Sequence, residues 1–177
     1  MFELLISFIL LVLFFLVFSI VWRINARKYI SSGTVASAYD AWTQDKLLER
    51  LWGEHIHLGF YPSGGGNIDF RKAKVQFVHE LVKWSGLDKL PKGSRILDVG
   101  CGIGGSSRIL AEYYGVNVTC ITISQAQVKR ARELTPHWLN CNFQVMDALD
   151  LKFEDGSFDA VWSVEAGAHM NLSLIHI

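Results

Sequence analysis

The 177-residue sequence predicts an α/β fold built on a parallel sheet with helices on both faces. Two observations lead to this class. From Arg95 onward, short runs rich in β-branched residues alternate with stretches of helical periodicity. The first run ends in a glycine-rich loop, residues 100–105, which leads directly into a helical stretch. A strand, a glycine loop and a helix in this order are typical of nucleotide-binding βα units.

The N-terminal segment predicts a membrane anchor. No residue from Leu4 to Trp22 is charged, and most are Leu, Phe, Ile or Val. As a helix, this run would measure about 28 Å, close to a hydrocarbon core of roughly 30 Å. Basic residues follow it and none precede it, so the remainder of the chain is expected on the cytoplasmic side. We therefore expect a single-pass transmembrane anchor over residues 1–22 and a linker over 23–34. A cleaved signal peptide, the alternative, would have a basic start and a shorter apolar core.

Residues 35–90 are expected to form a helical cap region. Apolar residues recur every three or four positions from Val35 to Leu51 and predict one helix. A segment rich in aromatic residues and histidine, WGEHIHLGFY, follows at 52–61. A second amphipathic helix is expected to begin at an N-cap, Asp69, and to end before Gly86.

Residues 91–170 contain the predicted sheet. The helices expected between its strands cover residues 106–114 and 124–134. The strands are expected at 95–99, 116–121, 142–146 and 158–164. Strands and helices that alternate at this spacing predict a parallel, doubly wound sheet.

The glycine loop and the acid before it predict the type of ligand. Gly100, Gly102 and Gly105 fit the spacing that cradles a dinucleotide pyrophosphate, a weak signal by itself. Asp98 lies two residues before the first glycine, where its charge would repel a diphosphate. The same carboxylate would attract S-adenosylmethionine, which carries a sulfonium cation and an ammonium group. The pattern therefore favours S-adenosylmethionine over a dinucleotide.

The strand ends that follow supply further polar candidates. The second strand lacks the acid that holds the ribose in dinucleotide enzymes, and Thr122 and Gln127 are the polar residues nearby. Gln127 also completes a capping box with Ser124, which could be its whole role. Asp147 follows the third strand, where it could accept from an adenine amino group or cap the next turn.

Net charge and cysteine content limit the classes of ligand and partner that the chain can bind. The formal net charge is zero, which gives no field to attract nucleic acid. The three cysteines, Cys101, Cys120 and Cys141, form no C-x-x-C pair, and we expect reduced thiols that fill apolar space. No metal site is expected.

Several motifs resemble a known family. ILDVGCGIGGSS and VTCITISQAQ resemble the first two motifs of class I S-adenosylmethionine-dependent methyltransferases. WGEHIHLGFY and DGSFDAVWSVEAGAHM resemble the tocopherol and plastoquinone branch of that family. The resemblance implies a Rossmann-like methyltransferase sheet, here its first four strands, and a prenylated quinol or phenol as the methyl acceptor. It also implies cofactor contacts near three sets of residues: Gly100, Gly102 and Gly104 at the methionine portion, Thr122 and Gln127 at the ribose, and Asp147 and Ala148 at the adenine.

Methylation of a hydroquinone ring also needs a proton acceptor. The candidates are His55, His57 and His169, because an imidazole with a pKa near 6.5 suits the task. His169 ranks first because it follows the fourth predicted strand, and parallel sheets bind ligands at that end. Glu165, at the same strand end, is an alternative base or substrate partner. Each histidine could instead be a hydrogen-bonded structural residue. The family resemblance also implies that residues 57–59 close over the cofactor.

The last residues depart from the family pattern. The family continues past His169-Met170 with more helices and strands, whereas this chain has Asn171 and LSLIHI. We expect residues 171–177 to be a non-native tail. Three alternatives to a quinol methyltransferase stay open: a methyltransferase for sterols or other lipids, a nucleotide-binding module without catalysis, and an inactive fragment.

Overall fold

A computed structural model describes residues 10–19, 32–62 and 68–170. The chain divides into two compact units, Met1–Ile30 and Ser31–Ile177. In the first unit, residues 10–19 form a helix. All other elements below belong to the second unit.

The predicted membrane localisation is wrong. Within the described ranges, no helix is long and apolar enough to cross a membrane. Of the predicted anchor, residues 10–19 are described, and they are helical. The other residues of the predicted anchor, 1–9 and 20–22, lie outside the described residues. The predicted single-pass topology with a cytoplasmic catalytic domain therefore has no support.

The first predicted helix of the cap region is two helices. α1 covers Ser32–Gln44, so the last residues assigned to the linker are helical, and α2 covers Leu47–Trp52. Lys46 between them has a left-handed backbone, with φ of 55°. The Asp45 carboxylate accepts from the Leu47 amide at 2.7 Å. This bond competes with continuation of α1 and starts a new helix instead.

The next helix confirms its predicted ends. α3 covers Phe70–Ser85, and the Asp69 carboxylate accepts from the amides of Arg71 and Lys72 at 3.0 and 3.1 Å. Gly86 ends the helix in the left-handed conformation, with φ of 76°. A short 3-10 helix, Leu87–Lys89, then leads to the sheet.

The sheet confirms the predicted parallel α/β class. Two helices connect its first three strands: α4, Gly105–Tyr114, follows the first, and α5, Gln125–Leu134, follows the second. The four strands are β1 Arg95–Val99, β2 Asn117–Thr122, β3 Cys141–Val145 and β4 Ala160–Trp162. They pair in parallel in the order β3-β2-β1-β4. The chain reverses its winding direction between β1 and β4, and ligands of such sheets bind at that point, outside the carboxyl ends of the strands.

Apolar residues cover both faces of the sheet. Ile96 belongs to a cluster with Val78 and Val82 of α3, whereas Leu97 and Val99 pack with Ile121 on the opposite face. Successive residues of a strand point to opposite faces, so alternate residues of β1 enter different clusters. β1 is therefore held from both sides, which fixes the position of the loop that follows it.

A carboxylate of α1 holds the start of α5. Asp40 Oδ1 accepts from the Ser124 hydroxyl at 2.5 Å and from the Ala126 amide at 2.9 Å. Ser124 is the N-cap of α5, and its hydroxyl oxygen accepts from the Gln127 amide at 3.1 Å. The cap region and the sheet domain are thus joined at the N-terminus of α5, where the side chains of Asp40 and Ser124 accept from the backbone amides of the first turn.

Replacing Asp40→Ala is expected to lower the free energy of unfolding by about 1–3 kcal/mol. The Ser124 hydroxyl and the Ala126 amide would both lose their acceptor in a partly buried place. Urea denaturation of the chain measures the loss. Glu112→Ala removes an exposed acid from α4 and should change stability by no more than about 0.5 kcal/mol. Equal losses in the two variants would contradict this role for Asp40.

Candidate active site

The glycine loop at the carboxyl end of β1 has a backbone that requires glycine. Gly100, Gly102 and Gly104 all have left-handed φ angles, of 77°, 57° and 83°. The amides of Gly100 and Cys101 both donate to the carbonyl of Ile121 in β2, at 2.9 and 3.0 Å. These bonds fix the first turn of the loop to the neighbouring strand.

The surroundings of these glycines differ. A Cβ on Gly104 would lie 2.7 Å from the Phe143 ring, and a Cβ on Gly100 would lie 2.4 Å from the Ala166 Cβ. A Cβ on Gly102 would meet no heavy atom within 4 Å. Gly102 is therefore the position where the loop faces open space, and a ligand can approach its backbone there.

Asp98 lies inside the junction of β1 and α4 and not at the mouth of the loop. Its side chain is 2% exposed, and its Oδ2 accepts from the Ser107 hydroxyl at 2.5 Å. Burial raises the pKa of Asp98 to about 7, and the bond from Ser107 acts in the opposite direction. Sequence reasoning missed Ser107, although the GGSS motif placed a hydroxyl in the first turn of the helix. Contact between Asp98 and a cofactor stays a prediction.

Thr122 and Gln127 are brought together at the end of β2. The Thr122 hydroxyl donates to Gln127 Oε1 at 2.7 Å, and both side chains are buried. Ser124 caps the Gln127 amide as the capping box predicts, but the Gln127 side chain turns to Thr122. Because the two side chains bond to each other, their contact with a ribose stays a prediction.

Asp147 and Ala148 follow β3, at the same edge of the sheet. The Asp147 carboxylate accepts from the Leu149 amide at 2.9 Å, so it caps the turn, as the alternative interpretation expects. Asp147 is half-buried, and Ala148 packs against the apolar cluster of Leu97, Val99 and Ile121. An adenine contact of this pair also stays a prediction.

Two histidines lie on residues 54–58, which we call the cap segment. His57 is 8% exposed; its Nδ1 lies 2.7 Å from the carbonyl of Leu58, and its Nε2 lies 3.1 Å from His55 Nδ1. A carbonyl only accepts, so His57 Nδ1 carries the hydrogen and, in the neutral ring, Nε2 accepts from His55. Burial lowers the pKa of both rings, that of His55 to about 4. Both histidines are therefore neutral at pH 7, and both ring nitrogens of His57 are engaged.

Two buried cations, which sequence reasoning missed, hold the cap segment. Lys74 of α3 donates to the carbonyls of Trp52 and His55, at 3.1 and 2.8 Å. Arg108 of α4 pairs with Glu54 at 2.5 Å and also donates to the carbonyl of Ile103 in the glycine loop at 2.8 Å. Lys74 had a detectable signal, because it is a charged residue within the apolar stripe of α3.

Glu165 and His169 lie in the turn after β4, residues 163–170. Glu165 has a left-handed backbone with φ of 56°, and its Oε1 accepts from the Leu58 amide at 3.0 Å. The backbone of His169 ends a 3-10 helix, Gly167–His169, and its side chain lies outside the described atoms. The structure thus brings Glu165 to the cap segment, and a catalytic role for His169 stays a prediction.

Comparison with known proteins decides the family. A profile described as "Methyltransferase domain" matches residues 96–175. The 2-methyl-6-phytyl-1,4-hydroquinone methyltransferase of Synechocystis sp. is 60% identical over 149 residues, covering 84% of this chain and 47% of that protein. The chain belongs to the S-adenosylmethionine-dependent methyltransferases. The chloroplastic tocopherol O-methyltransferase of Arabidopsis thaliana is 42% identical over 134 residues, covering 70% of this chain and 38% of that protein.

The chain spans about half of the length of the first relative, 47%, and 38% of the length of the second. Among solved structures, the cyclase SpnF superposes with a TM-score of 0.68 at 29% identity, covering 80% of this chain and 52% of the other. The methyltransferase fold therefore also occurs in a protein named for cyclisation. The reaction has to be argued from the site and its relatives and not from the fold alone.

Proposed function

We propose that this chain carries the S-adenosylmethionine site of an enzyme that methylates a ring carbon of a prenylated hydroquinone. The 60% identity to a 2-methyl-6-phytyl-1,4-hydroquinone methyltransferase carries this proposal. A tocopherol O-methyltransferase at 42% identity supports the same class of acceptor, a phenolic ring with a prenyl-derived tail.

The residues around the glycine loop fit the cofactor. Gly102 leaves its backbone open to a ligand, and the Asp98 carboxylate lies buried beside the loop with a hydroxyl, Ser107, as its partner. A buried carboxylate beside an open backbone suits a ligand that carries positive charge, because that charge offsets the free energy lost when the carboxylate leaves water. When bound, S-adenosylmethionine supplies the methyl group that the acceptor ring takes from sulfur.

The other predicted contacts complete the proposed cofactor site. Thr122 and Gln127 at the end of β2 are proposed to lie against the ribose, and Asp147 with Ala148 against the adenine. All four residues follow the carboxyl ends of β2 and β3, the edge of a parallel sheet where ligands bind. Because hydrogen bonds already hold the side chains of Thr122, Gln127 and Asp147, these would meet the cofactor with little loss of conformational freedom.

Methylation at a ring carbon also releases a ring proton, which a base accepts. His57 is a poor candidate because both of its ring nitrogens are engaged. His55 is a weak base because burial lowers its pKa to about 4, and its Nδ1 is bonded to His57. Glu165 is engaged with the Leu58 amide. His169 is therefore proposed as the base, held at the carboxyl edge of the sheet by the turn after β4. Most of the rate would come from holding the ring and the methyl group in line.

Replacing His169→Asn is expected to lower kcat by about a hundredfold or more while leaving cofactor affinity unchanged, because general base catalysis contributes on this scale. Methyl transfer to the hydroquinone at saturating substrate, together with calorimetry of S-adenosylhomocysteine binding, checks both parts. His137→Asn is a matched control, since it removes a histidine from the loop after α5. Unchanged turnover of the His169 variant would remove it as the base.

Transfer of labelled methyl groups tests the proposed function. The chain is incubated with methyl-labelled S-adenosylmethionine and 2-methyl-6-phytyl-1,4-hydroquinone, a tocopherol or a sterol, and the products are separated. Label on a ring carbon of the hydroquinone is the expected result. Label only on the sterol would favour the lipid alternative. Tighter binding of NAD than of S-adenosylhomocysteine would favour a nucleotide-binding module, and cofactor binding without transfer to any acceptor would indicate an inactive fragment.

A further inference from the structure

Three contacts hold the cap segment, and they come from three parts of the fold. Arg108 of α4 binds the Glu54 carboxylate, and Lys74 of α3 binds the His55 carbonyl. The third contact is the bond from the Leu58 amide to Glu165, a residue 107 positions further along the chain. It is the contact among these three that joins the cap segment to the turn after β4.

Both segments joined by this bond also touch the glycine motif. A Cβ on Gly105, the first residue of α4, would lie 2.7 Å from the carbonyl oxygen of Glu54. A Cβ on Gly100 would lie 2.4 Å from the Ala166 Cβ. The cap segment and the turn after β4 thus lie directly on opposite ends of the motif, and Gly102, with open space around it, lies between those ends in the chain.

Leu58 is held by the hydrogen bond from its backbone amide to Glu165 and not by burial of its side chain. The Leu58 side chain is 74% exposed, so its burial adds little to holding the segment in place. Glu165 in turn has a left-handed backbone, which residues with a Cβ rarely adopt and which often marks a functional position. Burial lowers the pKa of His57 and that of Lys74, and the Glu165 carboxylate acts in the opposite direction on both groups.

We propose that Glu165 is a positioning residue whose carboxylate, through the Leu58 amide, keeps the cap segment closed over the ligand side of the glycine loop. This role rests on the proposed function only in taking S-adenosylmethionine as the ligand. Glu165 then slows cofactor release and aligns the cap against the bound ligand, and it exchanges no proton with the substrate. Closure of a segment over a ligand commonly sets the rate of its release.

Two amide substitutions separate this role from the others. Glu165→Gln keeps a side-chain oxygen at the same reach, so the bond to the Leu58 amide is retained. Glu165→Asn carries the same amide group on a side chain one methylene shorter, so the oxygen falls short. Asn tolerates a left-handed backbone better than Gln, so a role that depends only on backbone conformation would favour the Asn variant.

The readouts are hydrogen exchange of residues 54–60 in the ligand-free chain, and the dissociation rate of S-adenosylhomocysteine. We expect the Gln variant to match the parent chain within about twofold, and the Asn variant to exchange and release ligand about tenfold faster, as loss of one net hydrogen bond implies. In methyl transfer, the Gln variant should retain kcat while the Asn variant shows a raised KM for the cofactor.

Other outcomes overturn the proposal. Equal exchange in both variants and the parent chain would show that the bond does not hold the cap segment. Loss of kcat in the Gln variant with unchanged exchange would make Glu165 the base and not a positioning residue. The proposed function fails separately: no methyl transfer by the parent chain, together with the expected exchange pattern, would defeat the reaction and leave the positioning role intact.

Discussion

Gly104→Ala is expected to lower the free energy of unfolding by about 2–5 kcal/mol. A Cβ there would lie 2.7 Å from two atoms of the Phe143 ring, which is buried in the core, and 2.9 Å from Arg108 Nη1. The new methyl group therefore adds overpacking, about 1–3 kcal/mol, to the cost of a left-handed backbone, about 1–2 kcal/mol. Urea or thermal denaturation of the chain measures this loss.

Gly102→Ala is the matched substitution with a different expected result. Nothing lies within 4 Å of the added Cβ, so the fold loses only the left-handed penalty of about 1–2 kcal/mol. The methyl group instead occupies the space proposed for the ligand, and affinity for S-adenosylhomocysteine should fall by at least about tenfold. Calorimetry measures the affinity. The assignment of Gly102 to the ligand side would be wrong if its variant bound as tightly as the parent chain.

Asp98→Asn is expected to remove a pH dependence of stability. Burial raises the pKa of Asp98 from 3.8 to about 7, so the folded chain binds this proton more tightly than the unfolded chain does. The contribution of Asp98 to the free energy of unfolding is greatest below pH 3.8. It decreases as the pH rises towards about 7 and is constant above that. At about 1.4 kcal/mol per pH unit, the total change is roughly 4 kcal/mol. Relative to the parent chain, the free energy of unfolding of the Asn variant should therefore be higher at pH 8 than at low pH.

The same substitution is expected to weaken cofactor binding. S-adenosylhomocysteine lacks the sulfonium charge but keeps the ammonium group, and an ammonium group near Asp98 favours the ionised carboxylate. Its affinity should therefore rise from pH 6 to pH 8 with release of a proton. Calorimetry in two buffers of different ionisation enthalpy measures that proton. In Asp98→Asn, the affinity should fall and the proton release should vanish.

Asp147→Asn is the control for charge alone, because Asp147 is half-buried and its carboxylate caps a turn. It should leave the proton release unchanged. An affinity of the Asp98 variant equal to that of the parent chain, at both pH values, would contradict a cofactor role for this acid.

Local sequence signals predicted most of the sheet domain. β1 has the predicted bounds, and α5 begins after its predicted cap, Ser124. These features depend on residues close together in the chain: a glycine that ends a helix, a hydroxyl that caps one, or an apolar run that forms a buried strand. The prediction of one helix over residues 35–51 was wrong because the Asp45 carboxylate accepts from the Leu47 amide, where a new helix begins. Apolar periodicity does not detect this local competition.

The long apolar run near the N-terminus gave the largest error. Its composition alone predicts a membrane span, but a span also needs an unbroken helix of sufficient length. Within the described ranges, no helix is long and apolar enough for such a span.

The sequence by itself determined the parallel α/β class, the glycine loop, and the residue types that indicate a cation-bearing cofactor. Only the tertiary structure decided how those residues are used: it buried Asp98 against Ser107, engaged both nitrogens of His57, and joined Glu165 to Leu58. The physical reason is the separation in sequence between the residues that determine each feature. Caps, turns and apolar patterns are set by neighbours within a few positions, whereas a buried charge and a hydrogen bond across 107 residues depend on the packing of the whole domain.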